Sequence, residues 1–132
     1  MNTKAKGTKG ERDLVRFFNE NNWSAIRVAG SGSSRYPSPD LLVGNAIRRL
    51  AIECKVTKDH KKYFPLEEIE QLRQFSENFG AESWIGIKFG QEDWYFLILE
   101  DLERTKNNYT ISLELIKRRG LNLSELIENR KI

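Results

Sequence analysis

Three residues of this 132-residue chain combine types and spacing that could do chemistry together: Asp40, Glu53 and Lys55. Glu53 and Lys55 alternate along the run RLAIECKV, residues 49–56. Alternate residues of a strand share a face. Leu50, Ile52, Cys54 and Val56 therefore point into a core. Ala51 lies on the charged face and is expected to leave space beside the pair.

Asp40 opens the preceding apolar run, DLLVG, and Gly44-Asn45 between the runs is a hairpin signal. A turn centred near Asn45 and Ala46 sets Asp40 opposite residues 51 to 53. An odd-sum register places it on the Glu53/Lys55 face, and a slip of one residue would undo this. Two carboxylates and an ammonium suit a hard divalent cation held by oxygens, with the lysine near a water or an anionic substrate. A carboxylate about 5 Å from a phosphate repels it by about 3 kcal/mol at an effective dielectric near 20. One lysine offsets only one of the two, so phosphate binding here requires a cation such as Mg²⁺. The competing reading is a solvated Glu-x-Lys pair on an edge strand, worth well under ~1 kcal/mol.

Further residues join this set by pattern. Glu11 stands at i with Leu14, Val15 and Phe18 at i+3, i+4 and i+7, at the end of a buried helical stripe. Thr8-x-x-Glu11 also fits a capping box, so both roles stay open. The loop Gly30-Ser31-Gly32-Ser33-Ser34-Arg35 has the small residues and exposed N–H groups that allow close approach to a phosphate. Lys4, Lys6, Lys9, Arg12, Arg27, Arg35, Lys58, Lys61 and Lys62 could track a sugar-phosphate backbone. Trp23, Trp84 and Trp94 read as core or interface and not as base-stacking platforms. Cys54 has no base beside it and His60 lies in a basic loop, so neither is read as a catalytic group.

The elements that must position these residues follow from periodicity. A helix is expected near 9–21, a strand at SAIRVAG, strands at DLLVG and RRLAIECKV, and a basic loop at TKDHKKYF. PLEEIEQLRQFSENFG reads as a helix lined by Leu66, Ile69, Leu72, Phe75 and Phe79 and closed by Gly80. ESWIGIKF and DWYFLIL read as strands. ISLELIKRR is ambiguous, and LNLSELIENR forms a last short helix. The order implies one mixed sheet with helices on its faces. The two aromatic-rich strands are either the monomer's core or a face packed on a twofold mate.

Length suits a single domain over 1–132, with a flexible basic arm at about 1–7. No run approaches a membrane span, no secretory signal is present, and a single cysteine fits a reducing cytosol. The net charge of +3 hides a split. Residues 1–62 hold 13 Lys/Arg and 6 Asp/Glu, net +7, whereas residues 63–132 hold 9 and 13, net −4. Such a split favours a polyanion partner, with nucleic acid first.

Four blocks then resemble one family: Thr8-Lys9-Gly10-Glu11-Arg12-Asp13-Leu14 opening a helix, Arg27-Val28-Ala29-Gly30-Ser31-Gly32, Pro39-Asp40, and Glu53-Cys54-Lys55-Val56-Thr57-Lys58. They are similar to the archaeal Holliday junction resolvases, members of the PD-(D/E)xK nuclease superfamily. The resemblance implies an α/β, restriction-endonuclease-like fold with a central mixed β-sheet flanked by helices. It implies a cytoplasmic, nucleoid-associated homodimer that nicks two opposed strands of a four-way DNA junction. Glu11, Asp40, Glu53 and Lys55 match the catalytic motif, and Ser31 matches a loop serine. Asp40, Glu53, the backbone carbonyl of Cys54 and Glu11 would hold one or two Mg²⁺, with Mn²⁺ as a substitute. Arg12, Arg27 and Arg35 fall in DNA-facing blocks. Relatives carry a polar residue in the second helix, where Glu67 or Glu68 stands here, and no role is carried over to either. Rival readings are another nuclease of this superfamily acting on duplex or flaps, and a catalytically silent DNA-binding subunit.

Overall fold

The structure is a computed structural model that describes residues 3–30 and 35–128, with the side chains of residues 3–6 excepted. In chain order the elements are α1 (Thr3–Glu20), β1 (Ser24–Arg27), β2 (Leu41–Gly44), β3 (Arg49–Thr57) and β4 (Lys61–Pro65). There follow α2 (Leu66–Phe79), β5 (Glu82–Phe89), β6 (Trp94–Ile98), β7 (Glu103–Arg104), β8 (Asn108–Ser112), α3 (Leu113–Arg119) and α4 (Leu123–Glu128). A central five-stranded sheet has the order β1-β2-β3-β5-β6. Only the β3–β5 pair is parallel, because α2 carries the chain across between those strands.

Both faces of the sheet are covered. On one, Leu14 and Phe18 of α1 pack with Leu41, Val43, Leu50, Ile52, Trp84, Trp94 and Phe96. Gly10 lets α1 come this close, since a Cβ there would lie 2.7 Å from the Trp94 ring. On the other face, Ile69 and Leu72 of α2 pack over Ala51, Ile85, Ile87 and Leu97. Ala51 is fully buried under α2 and takes no part in lining the space beside the charged pair. Gly80 ends α2 in the left-handed region, φ 84°, and its N–H donates to the Ser76 carbonyl at 2.9 Å.

Several boundaries differ from expectation. α1 starts at Thr3, so residues 3–7 are its first turns and Thr8 lies inside the helix, where it cannot cap. The basic segment read as a loop contains β4, which pairs with β8 in a second sheet of order β4-β8-β7. Lys-Lys-Tyr-Phe alternates between exposed and buried sides, but charge masked that short period. ISLELIKRR divides at Ser112, whose side chain accepts the Leu115 N–H at 3.0 Å and starts α3. Phe79 is 51% exposed and stacks on Phe75 instead of entering the core. The aromatic-rich β5 and β6 bury Trp84, Trp94 and Phe96 within the monomer.

A polar lock closes the end of the sheet away from Glu53 and Lys55. Arg48 is 5% exposed; its Nε and Nη2 donate to Glu82 at 2.8 and 2.9 Å, and its Nη1 donates to the Leu126 carbonyl at 2.8 Å. Glu82 also accepts from Trp84 Nε1, and the guanidinium lies 5.4 Å from the Trp23 ring centre.

Candidate active site

The β2–β3 register is Leu41 opposite Ile52, an odd sum, and one residue further it sets Asp40 opposite Glu53. Backbone bonds clasp Asp40 from both sides: Val28 N–H donates to its carbonyl at 2.8 Å, and its own N–H donates to the Ile52 carbonyl at 3.0 Å. Its Oδ2 accepts the Cys54 N–H at 2.8 Å. The carboxylate is thus held at the point where β3 passes from core to cleft.

Asp40, Glu53 and Lys55 line a cleft of about 400 Å³, walled by Arg35, Tyr36, Pro37 and Ser38 on one side and by Glu68 and Gln71 of α2 on the other. Lys55 Nζ stands 3.6 Å from Glu53 Oε2 and 3.0 Å from Glu68 Oε1. Glu68 lies at the start of α2, which Pro65 precedes. Packing of the helix on β3, and not any pattern in the chain, aims it at the cleft. The Ser38 hydroxyl is buried there without a hydrogen-bond partner among the described residues.

Burial is the first cause that pushes the Glu53 carboxyl up to about 9; the Asp40 charge and a hydrogen bond with Glu68 add to it, and Lys55 opposes it. Burial lowers the Lys55 ammonium, but the carboxylates of Glu68, Glu53 and Asp40 outweigh it and raise the group above its ordinary value. Burial also raises Glu11, although Arg27 opposes the rise by donating from Nε to Glu11 Oε1 at 2.7 Å. Glu11 feels the Asp40 and Lys55 charges, so α1 delivers it to the rim of the same site. Burial likewise drives the Cys54 thiol well up, which suits a core side chain and not a nucleophile.

The donor set fits a hard cation. Asp40 and Glu53 offer paired carboxylate oxygens, and a dication would offset both the burial and the Asp40 charge that push the Glu53 carboxyl up. Among the described residues no three His, Cys, Asp or Glu side chains converge on one point. Of the expected set of Glu11, Asp40, Glu53 and Cys54, the cleft brings Asp40 and Glu53 together, Glu11 faces Arg27, and the Cys54 N–H holds Asp40. Cation binding must displace the Glu53 proton, so near neutral pH about one proton should leave per cation bound. Calorimetry with Mn²⁺ in two buffers of different ionisation heat checks this, and release near zero would show Glu53 already ionised in the free protein.

The remaining basic residues divide by place. Arg35 is exposed at the cleft mouth, 5.8 Å from the Tyr36 ring centre. Arg12, Lys58 and Lys61 are exposed, and Arg27 is engaged with Glu11. Lys9 pairs with Asp13 at 3.1 Å and shares a groove of about 350 Å³ with Lys58 and Lys88, at the ends of β3 and β5. Lys62 lies half-buried on β4. Lys88 is not singled out by the sequence reading, and Glu68 is named only beside Glu67 with no role given; both sit in amphipathic elements where a charge looks ordinary. The backbone of Lys4 and Lys6 belongs to α1, and Ser31 lies outside the described residues.

Known proteins place this geometry. The sequence model of the archaeal Holliday junction resolvase (Hjc) family matches residues 2–132. The chain belongs to that family. The crossover junction endodeoxyribonuclease Hjc of Archaeoglobus fulgidus is 42% identical over 123 residues, spanning 93% of this chain and 90% of its own length. That of Methanocaldococcus jannaschii is 35% identical, spanning 96% and 90%. The solved structure of the Archaeoglobus fulgidus resolvase superposes with a TM-score of 0.84 at 39% identity, over 91% of this chain and 98% of that one. The resolvase family fold is restriction-endonuclease-like, and the central mixed sheet flanked by helices is its core here. No helix among the described residues is long and apolar enough to cross a membrane.

Proposed function

We propose that this protein is a Holliday junction resolvase: an endodeoxyribonuclease that nicks opposed strands of a four-way DNA junction. The observation that carries this reading is the convergence of Asp40, Glu53 and Lys55 in one cleft of a chain of the resolvase family. Asp40 and Glu53, with Glu11 and the Cys54 carbonyl nearby, are the groups that would hold Mg²⁺ or Mn²⁺. When bound, the cation supplies a polarised phosphate and an acidified water.

The chain's own groups do the rest. Lys55 presents a half-buried ammonium to the cleft, where it stabilises charge growing on the phosphate or orients the attacking water. In-line attack on phosphorus expels the 3′-oxygen and leaves a 5′-phosphate. Arg35 at the mouth, with Arg12 and the Lys9/Lys58 groove, contacts flanking phosphates and makes recognition salt-sensitive. Ser31 and Arg27, both in the sequence block 27–32 that resembles the family, serve the same strand. A homodimer matches the twofold symmetry of the junction, so that two sites cut as a pair. The protein acts in the cytoplasm on nucleoid DNA.

Cleavage of a labelled synthetic junction, with duplex and flap controls, in Mg²⁺ and in chelator, tests this reading. Paired nicks in opposite strands of the junction alone, abolished by chelator, are the expected result. Equal cutting of duplex would make the protein a general nuclease. Tight binding without cutting in any divalent metal would leave a DNA-binding subunit.

A further inference from the structure

We infer that Glu68 is a positioning residue for the cleavage reaction: it holds the Lys55 ammonium over the cleft and off the Glu53 carboxylate. The inference rests on the resolvase reading and deepens it. Among the described residues Lys55 reaches Glu68 and Glu53, and it stands nearer the one on the helix, 3.0 Å from Glu68 against 3.6 Å from Glu53. Without Glu68 the nearest acceptor is Glu53, one of the two groups that must receive the cation. An ammonium seated there competes with the metal and retreats from the phosphate.

Two features argue that the contact is built and not incidental. The start of α2 carries two acids, Glu67 and Glu68, and either would satisfy the helix dipole. Glu67 does so in solvent, accepting from Gln71 at 3.2 Å, whereas Glu68 is turned into the cleft. Its neighbour Ile69 is fully buried, and Leu72 nearly so, against Ala51 of the same strand that carries Lys55. The Glu68 carboxylate is thereby fixed relative to β3.

Charge supplies the second reason. A third carboxylate in a phosphate-binding cleft adds repulsion unless a cation neutralises it. Paired with Lys55, Glu68 contributes a unit of zero net charge and leaves Asp40 and Glu53 to the metal.

The test is a double-mutant cycle with two readouts, Mn²⁺ affinity by calorimetry and single-turnover cleavage of the synthetic junction. Glu68→Gln should slow cleavage 10- to 100-fold and weaken Mn²⁺ binding at least threefold, with junction affinity within twofold and Tm undiminished. In a Lys55→Ala background, where no ammonium remains to fall onto Glu53, Glu68→Gln should change Mn²⁺ affinity by less than half as much. Equal weakening in both backgrounds would make Glu68 a metal ligand in its own right and overturn the inference. So would wild-type rate and metal affinity in Glu68→Gln. Wild-type protein that leaves every junction uncut overturns the resolvase reading itself, and this inference with it.

Discussion

Glu53→Ala is expected to abolish junction cleavage, by at least ~1000-fold, which corresponds to about 4 kcal/mol of lost transition-state stabilisation. Junction binding should stay within about twofold, because backbone contacts from the basic residues supply most of the affinity. The physical reason lies in how Glu53 is held. It is buried opposite Asp40 and beside Glu68, and its carboxyl rises to about 9. Such a carboxyl costs stability: an acid whose pKa is raised on folding binds more protons folded than unfolded, so stability falls as pH rises from 4.5 towards 9. Glu53→Gln removes that titration and keeps the shape. It should therefore raise Tm in chelator at pH 8 to 9 while being as inactive as the alanine variant. A group that destabilises its fold and is required for turnover is one retained for chemistry. Single-turnover cleavage and thermal melts of both variants check the pair of effects, and a Glu53→Ala protein cutting at the normal rate would refute the assignment.

Arg48→Ala should be the most damaging change far from the cleft. It strips the buried Glu82 of two charge-assisted bonds and leaves the Leu126 carbonyl without its donor. Breaking one partner of a buried pair costs about 3–5 kcal/mol. For a chain of this size that is roughly 10–20 °C in Tm. Denaturant melts and calorimetry measure it, and a loss under ~1 kcal/mol would mean that water satisfies Glu82. Arg48 also ties the β2–β3 hairpin to α4 and to the start of β5. The register that sets Asp40 opposite Glu53 depends on that hairpin, so cleavage should weaken at temperatures below the global melt.

Much of the site was legible because strands impose a period of two. Alternation put Glu53 and Lys55 on one face and Cys54 in the core, and the turn signal at Gly44-Asn45 placed Asp40 opposite them. Local chemistry was equally readable in α2, whose start after Pro65 and end at Gly80 follow from backbone geometry alone. The α4 start is another such case: Asn122 and Glu125 exchange reciprocal bonds, Glu125 N–H to Asn122 Oδ1 at 2.8 Å and Asn122 N–H to Glu125 Oε1 at 2.9 Å.

Failures have a common cause. β4 was hidden because its partner, β8, lies about fifty residues on, and a half-exposed basic strand has no signal until it is paired. The capping role of Glu11 fell once α1 extended back to Thr3, and its carboxylate met Arg27 across a gap of sixteen residues. Arg48 carries no signal in the pair Arg48-Arg49, because its partners stand 34 and 78 residues away.

The sequence by itself determined the periods, the turns, the charge split and the blocks that match the family, since each is a property of neighbours along the chain. Tertiary structure alone decided which of two adjacent acids, Glu67 or Glu68, meets Lys55, and that Ala51 is buried under α2. Those outcomes depend on the rotation and approach of α2 over β3, which are set by side chains such as Ile69 and Leu72 packing to fill volume. Packing acts between elements distant in sequence, and no local pattern carries it.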